Sequence, residues 1–174
     1  MIGLKSGTVV LSAPDPAWHA VFYEESARLL GAARDFLVAI EHVGSTAIPG
    51  LHAKPIVDIA AATPTFEGFF PAVARIEKLG YTFRGEFGVP RRHFFTLGDP
   101  VTVHFHVFEE HGKDWPEQLL FRDAMRASEQ LRAEYEALKI ELAARFANDR
   151  PAYTTAKAEF IQRVLREAAS TAGR

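Results

Sequence analysis

The chain contains no cysteine. Disulfides, thiolate nucleophiles and zinc–thiolate centres are therefore excluded together. It also lacks any apolar run near the ~18 uninterrupted residues of a membrane span. Its opening, Met1-Ile-Gly-Leu-Lys-Ser-Gly-Thr, has no charged segment followed by an apolar one, as a secretory signal would. These absences predict a cytoplasmic protein that does not contact a membrane. Charge of one sign is missing too: the formal net charge is -2, with 24% of residues charged. A near-neutral balance sets up no global field for DNA or RNA. Broad, non-specific nucleic-acid binding is not expected, although a local basic cluster can still hold phosphates. Internal repeats and low-complexity segments are absent as well.

What is present is a chain of 174 residues, 48% of them hydrophobic. That suffices for one core of ordinary size and argues against two independent domains. Asp15-Pro16 opens a helix, because Asp caps and Pro suits the first helical position. Trp18, Phe22, Glu25 and Leu29 follow at helical spacing, and Gly31 marks the end. Residues 36–43 read as a strand, residues 44–54 as a loop, and residues 55–62 as a strand apolar except for Asp58. Such a run predicts a strand covered on both faces. Residues 65–79 read as a helix ended by Gly80. Strands follow at 81–84, 92–97 and 101–108, the last two joined by a turn at Gly98-Asp99-Pro100. From Asp114 the pattern is helical. Asp114-Trp115-Pro116-Glu117 reads as a capped start with Glu117 in the reciprocal position. Leu131, Tyr135, Leu138, Leu142 and Phe146 form one stripe, and Asn148-Asp149-Arg150-Pro151 breaks it. A last helix carries Phe160, Val164 and Leu165 and frays from Ser170. The sum is one α/β (α+β) domain over 1–174. It has a small mixed sheet flanked by helices at about 14–110 and C-terminal helices at about 114–169.

The first chemical candidate is Gly44-Ser45-Thr46, directly after a strand, with Asp58 inside the next one. A Gly-Ser turn exposes backbone N–H groups and a hydroxyl that can hold phosphate oxygens. A carboxylate on the adjacent strand can hold a divalent metal beside those oxygens, and Lys54 adds a cation. The structural alternative is a tight turn plus a buried Asp bonded to backbone donors. An unpaired carboxylate in so apolar a run is costly, which favours function.

The stretch Glu41-His42-Val43-Gly44-Ser45-Thr46-Ala47-Ile48-Pro49-Gly50-Leu51, followed by Lys54-Pro55-Ile56-Val57-Asp58-Ile59, resembles the signature of the GrpB family. Further matches are Gly85-Glu86, Gly88-Val89-Pro90, Arg92, Phe94, His104-Phe105-His106-Val107, Phe121-Arg122-Asp123, Tyr135, Leu138-Lys139 and the segment from Tyr153 to Lys157. The resemblance runs from about Pro14 to Ala168. It implies a nucleotidyltransferase-like fold of the DNA polymerase beta type. That superfamily places Gly-Ser, then an Asp-x-Asp or Asp-x-Glu pair, then a third carboxylate on a later strand. Here Ala60 stands at the second position of the pair, so only Asp58 remains to grip metal. Members of the family are sometimes fused to dephospho-coenzyme A kinase, which implies nucleotide or cofactor chemistry.

His104-x-His106 is the second candidate. Residues two apart on a strand share a face. The resemblance implies that one of them takes the third carboxylate's place and faces Asp58. Asp58, His104 and His106 then suit Mn²⁺, Zn²⁺ or Fe²⁺ better than Mg²⁺. The alternative is a pair of histidines bonded within a polar core. Histidine-triad hydrolases also use His-x-His-x-His, but Phe108 occupies the third place. Arg92 can pair with phosphate, and Glu86 can serve as a further metal ligand or an orienting base, unless both belong to a surface salt bridge. Lys139, Tyr153 and Lys157 resemble positions from which template-independent nucleotidyltransferases reach a triphosphate; the alternative is a solvated helix surface. His42 is a possible pocket residue.

The expected function is metal-assisted nucleotidyl or phosphoryl transfer on a nucleotide or other phosphorylated small molecule. Asp58 and Ser45 carry the chemistry, and Gly44, Ser45, Thr46, Lys54, Arg92, Lys139, Tyr153 and Lys157 hold phosphate or nucleotide. Ala60 leaves open a non-catalytic nucleotide-binding or sensing module, and the 14 Phe leave open a protein-interaction domain.

Overall fold

The computed structural model describes residues 2–5 and 7–172. The first helix, α1 (Ala17–Ala33), begins one residue later than expected, with Pro16 flanking it and Asp15 Oδ1 accepting from the Ala17 N–H at 2.9 Å. It runs past Gly31, which meets no obstacle to helical geometry. The expected strand from 36 starts late. Residues Arg34–Phe36 close a single 3-10 turn, in which the Leu37 N–H bonds back to the Arg34 carbonyl, and β1 covers Ala39–Val43. A second 3-10 turn, Ser45–Ala47, leads toward β2 (Val57–Thr63). Next come α2 (Phe70–Glu77), β3 (Tyr81–Phe83), β4 (His93–Leu97) and β5 (Val103–Glu109). The C-terminal third is α3 (Asp114–Ala127), α4 (Glu129–Arg145), α5 (Arg150–Ala156) and α6 (Ala158–Ala172).

Two helix-end readings need correction. No side-chain cap closes the start of α3: Lys113 is the flanking residue and Asp114 is already helical. Asp114 and Glu117 instead place negative charge in the first turn, at the positive end of the helix dipole. The last helix continues past Ser170, whose hydroxyl donates to the Glu167 carbonyl within the same helix. Two helices do carry side-chain caps. Ser128 accepts from the Leu131 N–H ahead of α4, and Asp149 accepts from the Ala152 N–H ahead of α5. No helix among the described residues is long and apolar enough to cross a membrane.

The strands form one mixed sheet in the order β1-β2-β5-β4-β3. The central pair, β2 and β5, is parallel; the other pairs are antiparallel. The two sheet faces differ. On one face Ile59, Ala61, Phe95, Phe105 and Val107 pack beneath Leu29 of α1 and Ile76 of α2. Each fully buried side chain of this size stabilises by about 2 kcal/mol, so this face fixes the sheet. Glu25, though in the apolar stripe of α1, is satisfied there: it accepts from the Tyr81 hydroxyl at 2.8 Å and from Arg28 at 2.6 Å. The opposite face is covered in part by α3, where Trp115 joins Val43, Ala60, Ala62 and Phe108. The remainder of that face carries Asp58 and His104. The C-terminal helices frame it, held to the 44–54 loop by Ile48 and Leu51 against Met125 and Tyr135.

Candidate functional site

The strand pattern brings the polar groups together. Asp58 stands opposite His104 across the parallel pair, and Ala60 stands opposite His106. Side chains two apart on a strand share a face, so Asp58, His104 and His106 meet on one side. Asp58 Oδ1 lies 2.9 Å from His104 Nδ1 and 3.5 Å from His106 Nε2. Burial pushes the Asp58 carboxyl up. Hydrogen bonds from both histidines outweigh that and hold it well below the usual carboxylate range. Burial lowers His106, with the Asp58 carboxylate opposing.

Gly44 closes the floor of the site. Its φ is +68°, and a Cβ placed on it would fall 2.6 Å from Asp58 Oδ2. The turn therefore needs glycine twice, for its left-handed backbone and for its approach to the carboxylate. Ser45 pairs with the Tyr135 phenol, and the Thr46 hydroxyl lies 3.0 Å from His42 Nε2. His42 does not line this pocket. It is in register with Ile59, on the opposite face, where its ring stacks on Phe22 at 4.8 Å. Burial pushes His42 down to about 4, so it stays neutral and steadies the turn through Thr46. Two arginines of α3 grip the same turn from outside: Arg122 donates to the His42 carbonyl and Arg126 to the Ala47 carbonyl.

Cations gather around Asp58. Burial pushes the Lys54 ammonium down to about 7, with Arg150 and Lys157 adding and Asp58 opposing. Burial takes Lys157 down to about 8, with Asp58 opposing and Arg150 adding. Lys139 falls to about 7 through burial and the Lys157 charge. The Lys139 side chain is 1% exposed and donates to the His52 carbonyl, so it is no solvated helix lysine. Tyr153 is buried between two of these groups: Lys157 Nζ lies 4.4 Å and Lys54 Nζ 5.7 Å from its ring centre. Arg92 lies over the Phe94 ring at 4.7 Å and reaches His106 Nδ1 at 3.4 Å. Glu86 serves elsewhere. Its carboxylate accepts from the Arg91 N–H at 2.6 Å and thereby shapes the 85–91 loop, while the group of potential ligands is Asp58, His104 and His106. Arg91 itself pairs with Glu67 and Glu109.

In those three residues the candidate ligand atoms all lie within 4.8 Å of one another. One carboxylate and two imidazoles make a mixed oxygen–nitrogen set, which fits a first-row transition ion in kind better than Mg²⁺.

The GrpB protein family profile matches residues 8–167. The chain belongs to the GrpB family. A UPF0157 protein of Pseudomonas aeruginosa is 40% identical over 156 residues, covering 87% of this chain and 64% of that protein. The glutamate-rich protein GrpB of Alkalihalophilus pseudofirmus is 31% identical, covering 96% of this chain and 99% of its own length. A dephospho-CoA kinase of Mycolicibacterium paratuberculosis is 30% identical over 92% of this chain, which spans 46% of the kinase. The chain thus spans less than two thirds of the first and the last of these relatives. Among solved structures, GrpB of Enterococcus faecalis superposes with a TM-score of 0.87 at 28% identity, covering 95% of this chain and all of that one. The Cid1 poly(U) polymerase, solved with MgGTP, gives a TM-score of 0.53 at 10% identity over 78% of this chain and 44% of its own. That is likeness of fold, and it agrees with the nucleotidyltransferase-like architecture expected from the sequence.

Within this GrpB fold, Ala60 is fully buried in the apolar cluster that Trp115 of α3 completes. A second carboxylate there would be pressed into that apolar cluster, between Glu41 and His106 on the neighbouring strands and on the face that already holds the Asp58 carboxylate. We expect Ala60→Asp to add no second metal and to lower stability by about 3 kcal/mol, the scale of a polar group forced into an apolar cluster. Thermal unfolding with and without Mn²⁺ checks this; an undiminished melting temperature with a second Mn²⁺ equivalent would overturn it.

Arg150 has no role in the family pattern or the spacing of the sequence, yet its Nη2 lies 3.2 Å from His104 Nε2. Its signal was present, three residues before Tyr153, but the segment reads as a helix break. Tyr135 was placed in the hydrophobic stripe, and Arg122 matched the family pattern without a part to play.

Proposed function

We propose that this chain binds a nucleotide or another phosphorylated small molecule beside the Gly44–Ser45 turn and supports metal-assisted nucleotidyl or phosphoryl transfer there. One observation carries the reading: Arg150 and Arg92 stand against the two histidines that bond Asp58, Lys54 and Lys157 flank Tyr153 beside them, and all four cations feel the Asp58 carboxylate, with Asp114 the one other carboxylate acting, on Arg92. Half-buried cations that outnumber their counter-charge repel one another, and a polyanion relieves that cost. In this scheme Ser45 and Lys54 orient phosphate oxygens, Arg92 and Arg150 neutralise them, and Asp58 with His104 and His106 holds the metal. When bound, the metal neutralises charge developing on the phosphoryl group. The polymerase likeness and the dephospho-CoA kinase relative support a phosphorylated ligand. The test is calorimetric titration with ATP and with inorganic triphosphate, each with and without Mn²⁺, followed by an assay for product. Saturable binding that Lys54→Met weakens supports the reading; absence of binding up to millimolar anion sinks it.

The lowered lysines add a pH prediction. Near pH 8, Lys54 and Lys139 (about 7) are largely neutral and Lys157 (about 8) is half protonated. A bound polyphosphate favours the charged form, so binding takes up protons at pH 8 and weakens as pH rises from 7 to 9. Titrations in two buffers of different ionisation enthalpy read this directly; a buffer-independent heat would contradict it. For the free protein the sign is opposite. Unfolded lysines hold protons that the folded ones have lost, so these groups add stability as pH rises from about 7 toward the ordinary lysine value of ~10.4.

A second reading, a non-catalytic nucleotide sensor, is favoured by Ala60 in its apolar surroundings. It predicts nucleotide binding with no product and little dependence on divalent ions; any product from purified protein rules it out. The interaction-domain reading has little to stand on, since Phe70 and Phe87 are the exposed phenylalanines among the described residues.

A further inference from the structure

Each histidine of the cluster is engaged at both ring nitrogens, and the two partners differ in kind. His104 turns Nδ1 to Asp58 at 2.9 Å and Nε2 to Arg150 at 3.2 Å. His106 turns Nε2 to Asp58 at 3.5 Å and Nδ1 to Arg92 at 3.4 Å. A guanidinium donates and never accepts. The nitrogen facing it must therefore offer a lone pair, in both rings. A neutral imidazole then carries its hydrogen on the other nitrogen, the one aimed at Asp58. A metal ion held among Asp58 and the two histidines needs the reverse arrangement, with both lone pairs turned inward. The outer nitrogens would then carry hydrogens, directly against the arginine N–H groups. The side chains are of the right kind for a metal, but the arginines hold both rings in the wrong tautomer.

We infer that Arg92 and Arg150 form an anion receptor that gates metal binding: a phosphate group must draw both guanidinium groups off His104 and His106 before the rings can ligate. The inference rests on the phosphorylated-ligand reading above. A phosphate oxygen accepts hydrogen bonds from guanidinium and from an imidazole N–H alike. Once it stands between them, the outer ring nitrogens can carry hydrogen without meeting a donor. No proton is gained or lost; each ring's hydrogen moves from the inner nitrogen to the outer one. The two arginines are not equally free. Arg92 also donates to the Glu86 and Phe87 carbonyls, which fixes it to the 85–91 loop. Arg150 has its contact with His104 and stands at the start of α5. Arg150 is thus the group that moves first.

The experiment uses the whole chain, Zn²⁺ as the metal and sulfate as the anion, because sulfate chelates Zn²⁺ only weakly in water. Nitrogen-15 spectra of labelled histidine read the tautomers directly. The free protein should show His104 protonated at Nδ1 and His106 at Nε2. Calorimetry should show Zn²⁺ binding strengthened roughly tenfold or more by sulfate, the range of ordinary two-site coupling. Without sulfate, Arg150→Met should give most of that gain, and Arg150→Met with Arg92→Met all of it. The gate is overturned if the tautomers are the opposite ones, or if Zn²⁺ affinity ignores both sulfate and the substitutions. Sulfate or triphosphate that binds without changing Zn²⁺ affinity overturns the gate alone. Failure of sulfate and triphosphate alike to bind overturns the phosphorylated-ligand reading with it.

Discussion

Replacing Asp58 by asparagine is expected to abolish metal binding and, in the same protein, to tighten the binding of metal-free triphosphate. The two effects have one cause. Asp58 is the carboxylate on which Lys54, Lys157, Arg150 and both histidines act. Without its charge no anionic ligand remains for a metal, and two imidazoles alone hold a divalent ion poorly. The same charge repels an incoming phosphate. A unit charge about 6 Å away at an effective dielectric near 20 contributes roughly 2 kcal/mol after some screening, or about thirtyfold in affinity. Asparagine keeps the shape and one acceptor oxygen, so the fold should survive, and Asp58→Ala should likewise lose turnover without unfolding. Calorimetry with triphosphate and with Zn²⁺ separates the outcomes. A variant that loses affinity for both ligands would show that Asp58 only supports the structure. One that retains turnover would remove Asp58 from the chemistry.

The second large effect is at Gly44. Gly44→Ala should destabilise the protein by about 3 kcal/mol or more, whereas Gly50→Ala should cost only about 1 kcal/mol. Both residues have positive φ, +68° and +77°, so both substitutions carry the strain of a left-handed alanine. They differ in what the new Cβ meets. At Gly50 nothing lies within 4 Å, whereas at Gly44 the Asp58 carboxylate is 2.6 Å away. The gap between the two variants in denaturant unfolding isolates the close approach. Gly44→Ala should also displace Asp58 and weaken metal binding, which Gly50→Ala should leave intact. Equal losses of stability would mean that the turn is merely strained and does not buttress the carboxylate.

The periodicities of the sequence carry most of the element order. Asp58 inside an apolar strand and His104-x-His106 on another were legible because strand alternation and burial cost act locally. The strand expected from 36 starts only at Ala39 because Phe36 belongs to a turn closed by a backbone bond from Leu37 to Arg34, which leaves little trace in residue type. His42 is a possible pocket residue by sequence alone because adjacency to the Gly-Ser turn says nothing of which face a side chain takes; one residue of register sets it against Phe22. Lys139 was weighed as a solvated helix lysine, since an isolated lysine gives no sign that the chain will bury it against the His52 carbonyl.

Local chemistry thus determined what the sequence shows by itself: a cysteine-free mixed sheet with C-terminal helices, the family, and the pairing of a glycine turn with one acidic strand residue. Only the tertiary structure decided that Asp58 lies between two histidines, that Trp115 fills the place beside Ala60, and that Arg92 and Arg150 cap the outer ring nitrogens. The reason is separation along the chain. Arg150 and His104 are 46 residues apart, as are His104 and Asp58, and no period of helix or strand links positions so distant. Their meeting is set by the parallel pairing of β2 with β5 and by the packing of α5 over that face, which depend on the whole core at once.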